Sequence, residues 1–401
     1  MVRFVSITSM WRVAGILIVI LALWPFPNST EENPFPGFKI GTHLLFLGRH
    51  THFPQDGWGE HLRYARQMTG AGGWVVQLIY SNDMNPTKWQ EFLAYCEELR
   101  LRPVLRLAMV ETPDYWAAPP DDGEYQVIAD QWAQFFSQMD IQNPVWVVIG
   151  NEPNNGGEWG GRADPAAYAH YFVAVASRLK TLDKPIKIAP AALDAYLPHT
   201  NHLPFPGTEI TMMDAAAFLD GMFTAEPDLM QYVDFWASHV YPLGAFHRPP
   251  WEQEFRVDRF QGAETIPVRL PPFQIYNRGI NSYRWEQWYL ENVIGVKMPP
   301  ILITEFGYRH RESVDPLAVD GGGAEVDSRT TAAYVKQAFW GDNERGWIPL
   351  SHDPLLMGVV YFALAGTPDH WGHTNLLLVD EQGRVRGTYP IYDTLVNYAN
   401  K

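Results

Sequence analysis

Eight short apolar runs alternate along the chain with segments whose apolar residues recur at helical spacing. The runs cover residues 38–45, 74–80, 104–109, 145–149, 186–189, 235–241, 301–304 and 357–362. They show little apolar–polar alternation, which is typical of parallel strands that are covered on both faces. The pattern therefore predicts eight buried parallel strands.

The segments between these runs predict helices, and two of them start with a clear capping signal. They cover residues 58–69, 86–99, 124–139, 165–182, 212–223, 282–293 and 328–345. Asp164 precedes Pro165, and Asn85 precedes Pro86, so that each helix has a capping side chain followed by proline at its first position. Eight strands that alternate with helices predict an α/β fold, the (β/α)8 TIM barrel, as a single domain with long loops at its mouth.

A doubly wound open sheet is the alternative fold. Such a sheet usually carries a glycine-rich phosphate-binding loop after its first strand, and Gly41-Thr-His-Leu is not such a loop. The longest predicted loop, residues 242–281, follows the sixth strand. We interpret it as a cleft wall or lid and not as a separate domain.

The N-terminal segment has a pattern of its own. Arg3 and Arg12 precede the apolar run 13–24, which predicts a signal peptide or a short signal anchor over residues 1–24. The run is shorter than the roughly 20 apolar residues that span a membrane. Residues 25–37 form a proline-rich linker, and 38–401 form the barrel domain. We expect an extracytoplasmic protein that is either secreted or tethered by its N-terminal segment.

Composition narrows the possible partners. Hydrophobic residues make up 46% of the 401 residues, which is enough to bury a large core. The formal net charge of −15 argues against nucleic acid and against binding of the folded domain to an anionic membrane. A membrane contact is therefore expected only through the N-terminal segment, and we expect a monomer. The single cysteine, Cys96, lies in a helical pattern and is predicted to be a buried apolar side chain.

Two glutamates end predicted strands. Glu152 follows the run Val145-Trp-Val-Val-Ile-Gly-Asn, and Glu305 ends Ile301-Leu-Ile-Thr. A carboxylate at the C-terminal end of a buried strand adds little stability but lies where barrel active sites form. Strands four and seven end on opposite sides of the barrel mouth, so the two side chains can converge. Cleavage of a glycosidic bond requires such a pair.

The motifs around these glutamates resemble those of clan A glycoside hydrolases. Asn151-Glu152-Pro153 resembles the acid/base motif of the clan, and Thr304-Glu305-Phe306-Gly307 resembles its nucleophile strand. The run 238–242, with His239 and Tyr241, resembles the His-x-Tyr of family 5, the cellulase-like members. The segment 375–392 is similar to the last strand and return helix of the clan. The resemblance spans about residues 37–400.

The resemblance implies a role for each residue. Glu152 would be the general acid and then the general base, and Glu305 would be the nucleophile. Asn151 would hydrogen-bond the sugar 2-hydroxyl, Tyr241 would donate to Glu305, and His239 would line the adjoining subsite. For the glutamates the alternative is salt bridging at the barrel mouth, and for His239 and Tyr241 it is a structural role.

The chain departs from family 5 at two places. The third strand offers Arg106 where that family usually has a histidine. That family also usually has a tryptophan at the end of strand eight, and this chain has none there, although Trp371 follows in the loop. Arg106 either anchors the nucleophile by charge-assisted hydrogen bonds or forms a core salt bridge. Several aromatic residues fall on predicted mouth loops, and we expect two or three of them to stack on sugars: Trp116, Trp159, Trp251, Tyr276 and Trp371. His370 and His373 are interpreted as part of the cleft rim and not as a metal site.

The resemblance implies a retaining glycosidase that acts on a β-linked oligo- or polysaccharide without a cofactor or a metal. Two alternatives stay open. One is a catalytically silent barrel that binds carbohydrate, and the other is a transglycosidase that remodels surface glycans. The silent barrel has no reason to keep both glutamates, whereas the transglycosidase shares every catalytic residue with the hydrolase.

Overall fold

The computed structural model describes residues 39–46, 58–113, 115–120, 125–197, 209–253, 276–312, 326–341, 349–366, 374–380 and 384–399. All of them belong to one unit, Gly37–Lys401. The prediction of a linker before residue 38 and of a signal segment at 1–24 lies outside the described residues.

Eight parallel strands form the central sheet. They are β1 (Lys39–His43), β2 (Trp74–Tyr80), β3 (Arg102–Ala108), β4 (Val145–Ile149), β5 (Ile186–Pro190), β6 (Trp236–His239), β7 (Ile301–Phe306) and β8 (Leu356–Tyr361). Consecutive strands pair in parallel from β1 to β5 and from β6 to β8, and β8 pairs with β1. The chain therefore folds as a (β/α)8 TIM barrel, as the sequence predicts.

At the seam between β5 and β6, the backbone and the side chain of one residue, Asp234, take the place of a strand ladder. Asp234, two residues before β6, donates its backbone N–H to the carbonyl of Ile188 at 2.8 Å. Its carboxylate Oδ2 accepts from the backbone N–H of Ile188 at 2.8 Å. Lys180 Nζ donates to the same oxygen at 2.5 Å. Asp234 thus satisfies the backbone groups of β5 that a paired strand would otherwise satisfy.

The helices follow the strands around the outside of the barrel. They are α1 (Trp58–Thr69), α2 (Pro86–Glu98), α3 (Tyr125–Ser137), α4 (Pro165–Lys180), α5 (Ala215–Ala225), α6 (Leu243–Phe246), α7 (Ser282–Tyr289), α8 (Ser328–Trp340) and α9 (Pro390–Ala399). Both predicted N-caps are present. Asn85 Oδ1 accepts from the backbone N–H groups of Thr87 and Lys88 at 3.1 and 3.2 Å, and Asp164 Oδ1 accepts from that of Ala167 at 3.0 Å.

Where helix ends differ from the predictions, local backbone chemistry explains the difference. The helix predicted from residue 212 begins at Ala215 because Asp214 caps it, accepting from the backbone of Ala216 and Ala217. The helix predicted to run to residue 293 changes after Tyr289 into a π-helix, Leu290–Ile294. Helix α8 ends at Trp340 because Gly341 has a φ of +90°, which favours glycine and stops the helix.

Near the ends of the barrel, the structure adds two short strand pairs to the predicted strands, and it contains the expected return helix. The first predicted strand, 38–45, is divided into β1 and a short strand Leu45–Phe46, which pairs with Ala365–Gly366. A hairpin joins Leu377–Val379 to Val385–Thr388. The expected return helix is α9, and its Tyr392 hydroxyl donates to the backbone carbonyl of Tyr64 on α1 at 3.0 Å.

Large aromatic rings fill the end of the barrel interior where the strands begin. Trp74 of β2 meets Trp146 of β4 edge to face with ring centroids 5.0 Å apart, and Trp146 meets Phe235 just before β6 at the same distance. A β-carbon on Gly358 of β8 would lie 2.4 Å from Trp74 Nε1. Alternate strands thus supply one interior layer, with glycine where the indole takes the space. The barrel is a packed core, and function is confined to its mouth.

Two further points concern the single cysteine and the length of the helices. Cys96 is 1% exposed on α2, as predicted for a buried apolar side chain. Within the described ranges, none of the helices combines the length and the apolar character needed to cross a bilayer.

Candidate active site

Glu152 lies just beyond β4, on a backbone turn that aims it into the barrel mouth. Gly150 has a φ of +93° and Glu152 itself has a φ of +33°. A left-handed conformation costs a non-glycine residue on the order of 1–3 kcal/mol and is concentrated at functional sites. The backbone carbonyl of Glu152 accepts from the N–H of Asn155 at 2.8 Å, which holds the turn in place.

Glu305 lies within β7 and is held on both carboxylate oxygens. Arg106 Nη1 donates to Oε1 at 2.5 Å, and the Tyr241 hydroxyl donates to Oε2 at 2.6 Å. Arg106 is 3% exposed and projects from the middle of β3. Of the two interpretations of Arg106, the structure supports the anchor of Glu305, since the guanidinium binds this carboxylate directly.

The two glutamates meet across the mouth. A carboxylate oxygen of Glu152, one of Glu305 and a ring nitrogen of His239 all lie within 4.8 Å of one another. A separation of about 5–5.5 Å between carboxyl groups is typical of retaining glycosidases, whereas inverting enzymes need roughly 6.5–9.5 Å to admit a water molecule. The carboxylate oxygens of Glu152 and Glu305 lie closer together than the inverting separation.

The environments of the two carboxyl groups push their pKa values apart. Burial, together with the charges of Asp194 and Glu305, raises the pKa of Glu152 well above its usual value, against a smaller lowering by Arg106. Burial also raises the pKa of Glu305, but His239, Arg106, His43 and the Tyr241 hydrogen bond outweigh it and lower that pKa to about 2. Because a guanidinium stays protonated, the effect of Arg106 persists at every working pH. One group is suited to carry a proton and the other to stay ionised.

His239, at the end of β6, links the two glutamates. Its Nδ1 lies 2.6 Å from Glu152 Oε1, and its Nε2 lies 3.3 Å from Arg106 Nη2 and 3.6 Å from Glu305 Oε1. Burial is the main cause that lowers the pKa of His239 to about 4, so the ring is neutral at pH 7. Because Arg106 can only donate, Nε2 accepts and Nδ1 carries the hydrogen. We infer that His239 donates to Glu152 Oε1.

The sequence predictions did not include His43, which the structure adds to the site. It ends β1 and is 2% exposed. Its Nε2 lies 2.9 Å from the carbonyl oxygen of Thr304 and 4.0 Å from Glu305 Oε1. Burial and the charge of Arg106 lower the pKa of His43 to about 3, so it donates as a neutral ring. A histidine at a strand end, in Gly41-Thr-His, is the signal that could have identified it.

Asn151 is adjacent to Glu152 at the mouth and is 8% exposed. Its Nδ2 donates to the carboxylate of Glu158, a residue that the sequence predictions also left out. Among the described residues, none hydrogen-bonds its Oδ1. Asp194, which follows β5, is a further missed acid, and its Oδ1 accepts from the backbone N–H of Tyr196 at 2.7 Å.

The aromatic residues expected to stack on sugars have different positions. Trp159 is 5% exposed and packs on Tyr168, with ring centroids 5.3 Å apart, so it belongs to the core. Trp251 packs edge-on against Tyr334 of α8. Trp116 meets Tyr80 at the mouth end of β2, with centroids 5.8 Å apart. Tyr276 is partly buried. Trp371, His370 and His373 lie outside the described residues.

A metal ion is poorly suited to this site. Glu152, His239 and Glu305 are near enough to share an ion, but their atoms are already engaged with one another. Arg106, 2.5 Å from Glu305, places a fixed positive charge where a cation would bind. The arrangement fits a substrate that develops positive charge at carbon, held between an ionised and a protonated carboxyl group.

Comparison with known proteins supports the fold. Neither a family model nor a curated protein matches this chain. A solved family 39 glycoside hydrolase from the gut symbiont Bacteroides cellulosilyticus WH2 is 14% identical over 89% of this chain and 62% of its own, with a TM-score of 0.53. This chain therefore spans less than two thirds of that protein.

A family 1 β-glucosidase from Thermotoga maritima is also similar in structure. It is 14% identical over 91% of this chain and 97% of its own, with a TM-score of 0.52. At this identity the likeness establishes the (β/α)8 barrel, a fold that hosts many chemistries. What the chain does must be argued from its own side chains.

Proposed function

We propose that this protein is a retaining β-glycoside hydrolase that cleaves O-glycosidic bonds of a β-linked oligo- or polysaccharide. The observation that carries the proposal is the pair Glu152 and Glu305, with carboxylate oxygens within 4.8 Å and pKa values displaced in opposite directions. Burial and the nearby charge of Glu305 make an ionised Glu152 unfavourable, so the pair lowers stability, which favours a chemical role over a structural one. The same argument disfavours a silent carbohydrate-binding barrel.

In the first step, an oxygen of ionised Glu305 attacks the anomeric carbon while protonated Glu152 gives its proton to the leaving oxygen. His239 occupies Glu152 Oε1, so the transferred proton resides on Oε2. Bond formation consumes the charge of Glu305. Arg106 and Tyr241 hold its carboxylate in the plane that the attack requires.

In the second step, Glu152, now ionised, removes a proton from water, which displaces Glu305 from the anomeric carbon. Two inversions at that carbon retain the β configuration. Neutral His239 keeps its N–H toward Glu152 in both steps, so it can hydrogen-bond the carboxyl group before and after proton loss. Asn151 would contact the sugar 2-hydroxyl.

A panel of aryl β-glycosides and β-linked polysaccharides, followed by azide rescue, tests this function. Glu305→Ala should lose nearly all turnover of the best substrate, and azide should restore part of it and yield the glycosyl azide of inverted configuration. Glu152→Ala should spare substrates with good leaving groups, because these need little protonation. Unchanged turnover in Glu305→Ala would exclude it as the nucleophile.

Glu152→Ala also has an outcome that counts against the acid role, namely equal losses on good and poor leaving groups. Product analysis with and without added sugar acceptors separates hydrolysis from transglycosylation.

We further propose that the enzyme acts as a monomer outside the cytoplasm, with residues 1–24 serving as its export signal or anchor.

A further inference from the structure

Glu158 is a mouth-side carboxylate that neither of the two proposed steps uses. It ends a short 3₁₀ helix, Gly156–Glu158, in the loop that follows β4. Its carboxylate faces the proposed catalytic acid closely enough that the charge of Glu152 adds to burial in raising the pKa of Glu158. A third acid beside two others destabilises the fold, so its presence calls for an explanation.

The backbone around Glu158 is fixed from two sides. Trp116 donates its N–H to the carbonyl of Gly157 at 2.9 Å, and Gly160 donates to the carbonyl of Trp116 at 2.7 Å. On the other side, Gly156 donates to the carbonyl of Thr211 at 2.9 Å. The loops after β3 and β5 therefore both clamp the Glu158 loop.

Side-chain contacts add to this rigidity. Asn155 Oδ1 caps the short helix by accepting from the N–H of Gly157 at 2.9 Å. A β-carbon on Gly156 would lie 2.4 Å from the carbonyl oxygen of Thr211, which leaves no room for another residue. Trp159, next to Glu158, is buried against Tyr168. A carboxylate on so fixed a backbone is suited to holding a partner in one orientation.

The partner of Glu158 is Asn151, whose amide has two different ends. Nδ2 donates to Glu158 Oε2, while Oδ1 is buried and has no hydrogen-bond partner among the described residues. A buried acceptor without a partner is unfavourable, so the position of Oδ1 favours a ligand that brings a donor. A sugar hydroxyl is such a donor.

The Glu158 oxygen that faces Asn151 fixes which end of the amide faces the sugar. Oε2 accepts from Nδ2, so Oδ1 is turned away from Glu158. Burial and then the charge of Glu152 raise the pKa of Glu158 well above its usual value, and the hydrogen bond from Asn151 offsets only part of that rise. The orientation therefore depends on the position of Oε2 on a fixed backbone.

We propose that Glu158 is a positioning residue, which orients the Asn151 amide so that Oδ1 accepts a hydrogen bond from the sugar 2-hydroxyl. This inference rests on the proposed hydrolase function. In this arrangement the Asn151 amide accepts a hydrogen bond from the substrate. Glu158 and Asn151 together would then distinguish sugars that carry a 2-hydroxyl from sugars that lack it.

The test compares substrates with and without the 2-hydroxyl. The probes are 2,4-dinitrophenyl β-D-glucopyranoside, mannopyranoside and galactopyranoside with their 2-deoxy counterparts, because this leaving group needs little help from Glu152. Glu158→Ala should lower kcat/KM about 10- to 100-fold on the best parent glycoside and less than about threefold on its 2-deoxy analogue. Adding Glu158→Ala to Asn151→Ala should produce no further loss.

Two variants make the comparison specific. Glu158→Gln keeps an acceptor for Asn151 Nδ2 and should retain most of the discrimination between the two substrates. Glu97→Ala removes a carboxylate that also accepts from an asparagine, Asn143 Nδ2 at 2.9 Å, but on the exposed surface before β4. It should change neither substrate. Equal losses on the parent and 2-deoxy glycosides in Glu158→Ala would overturn the proposal.

A measurement without turnover separates this inference from the proposed function. With selective ¹⁵N-asparagine labelling, the side-chain amide signal of Asn151 is identified by its loss in Asn151→Ala. Glu158→Ala should shift that signal, and Glu97→Ala should not. If the Asn151 signal does not shift in Glu158→Ala, the inference is overturned. If it shifts but the folded wild-type protein cleaves none of the glycosides or polysaccharides, the contact between Glu158 and Asn151 is supported and the hydrolase function is contradicted.

Discussion

At the scale of single residues, the site is a chain of hydrogen bonds whose proton positions follow from one fixed charge. Arg106 donates to Glu305 and to His239 Nε2, which leaves the His239 N–H for Glu152. This order holds while the His239 ring is neutral, that is, above its pKa of about 4. His239 and Arg106 lower the pKa of Glu305, whereas burial raises that of Glu152, so the two carboxyl groups differ in protonation.

Replacing Arg106 should therefore change the acidic side of the pH profile. His239 and Arg106 are the two largest causes of the lowered pKa of Glu305, so Arg106→Met should raise that pKa from about 2 by about 1–3 pH units. Since attack requires ionised Glu305, activity should then fall off at a higher pH than in the wild type. The measurement is kcat/KM against pH from 3 to 8.

Arg102→Met is the matched control, because Arg102 lies on the same strand, four residues toward the opposite end of the barrel. It should leave the acidic limb where it is. A wild-type limb in Arg106→Met would show that the guanidinium does not keep Glu305 ionised.

At neutral pH, the carboxyl group of Glu152 should lower the free energy of unfolding. Its folded-state pKa is raised, so its contribution to stability is complete below the unfolded value near 4.5 and is lost as pH rises through the folded value. Glu152→Gln removes the ionisation and should raise the free energy of unfolding at pH 7.5, by about 1 kcal/mol or more. The gain should shrink at pH 4.

Urea unfolding at both pH values measures this difference, and Glu97→Gln reports the effect of removing an exposed carboxylate. An equal change for Glu152→Gln at pH 4 and pH 7.5 would contradict the raised pKa. The expected combination of higher stability and lost activity on poor leaving groups is the usual trade-off of a functional carboxylate.

At the scale of elements, the sequence predicts strands better than loops. The bounds of β2, β4 and α1 coincide with the predicted ones, since apolar periodicity reports burial directly. The split of the first predicted strand could not be read from periodicity, because Leu45–Phe46 pairs with Ala365–Gly366, far along the chain. Glu158 was missed because its contact with Asn151 depends on the turn of the loop between them.

Asp234 should contribute more to the free energy of unfolding than other partly exposed carboxylates, because it closes the seam between β5 and β6. Asp234→Ala removes the acceptor of the Ile188 N–H and should lower the free energy of unfolding by about 1–3 kcal/mol. Asp130→Ala removes an exposed partner of Arg178 and should cost less than about 1 kcal/mol. Equal costs in thermal unfolding would argue that the seam does not depend on this carboxylate.

At the scale of the whole molecule, the fold and the pairing of the two glutamates could be predicted from the sequence. Strand order in a barrel decides which strand ends face each other, and the order follows from the alternation of strands and helices. His43 ends the first strand, so its place at the mouth could have been predicted from Gly41-Thr-His. The role of Asp194 could not be predicted, since no local pattern distinguishes it from other polar residues that follow a strand.

The site residues all lie between β1 and β8, so the N-terminal segment should be dispensable for catalysis. A variant that begins at Gly37 should keep kcat/KM within about twofold of the full chain on the best soluble glycoside. Circular dichroism confirms folding of the variant. A folded but inactive variant would mean that residues 1–36 contribute to the site.

The stereochemistry of hydrolysis tests the central claim, that the two glutamates act by double displacement. In ¹H NMR spectra recorded from the first minute of hydrolysis of an aryl β-glycoside, the β anomer of the released sugar should accumulate first and the α anomer should appear only by mutarotation. Early accumulation of the α anomer would indicate a single displacement by water and would contradict the roles assigned to Glu152 and Glu305.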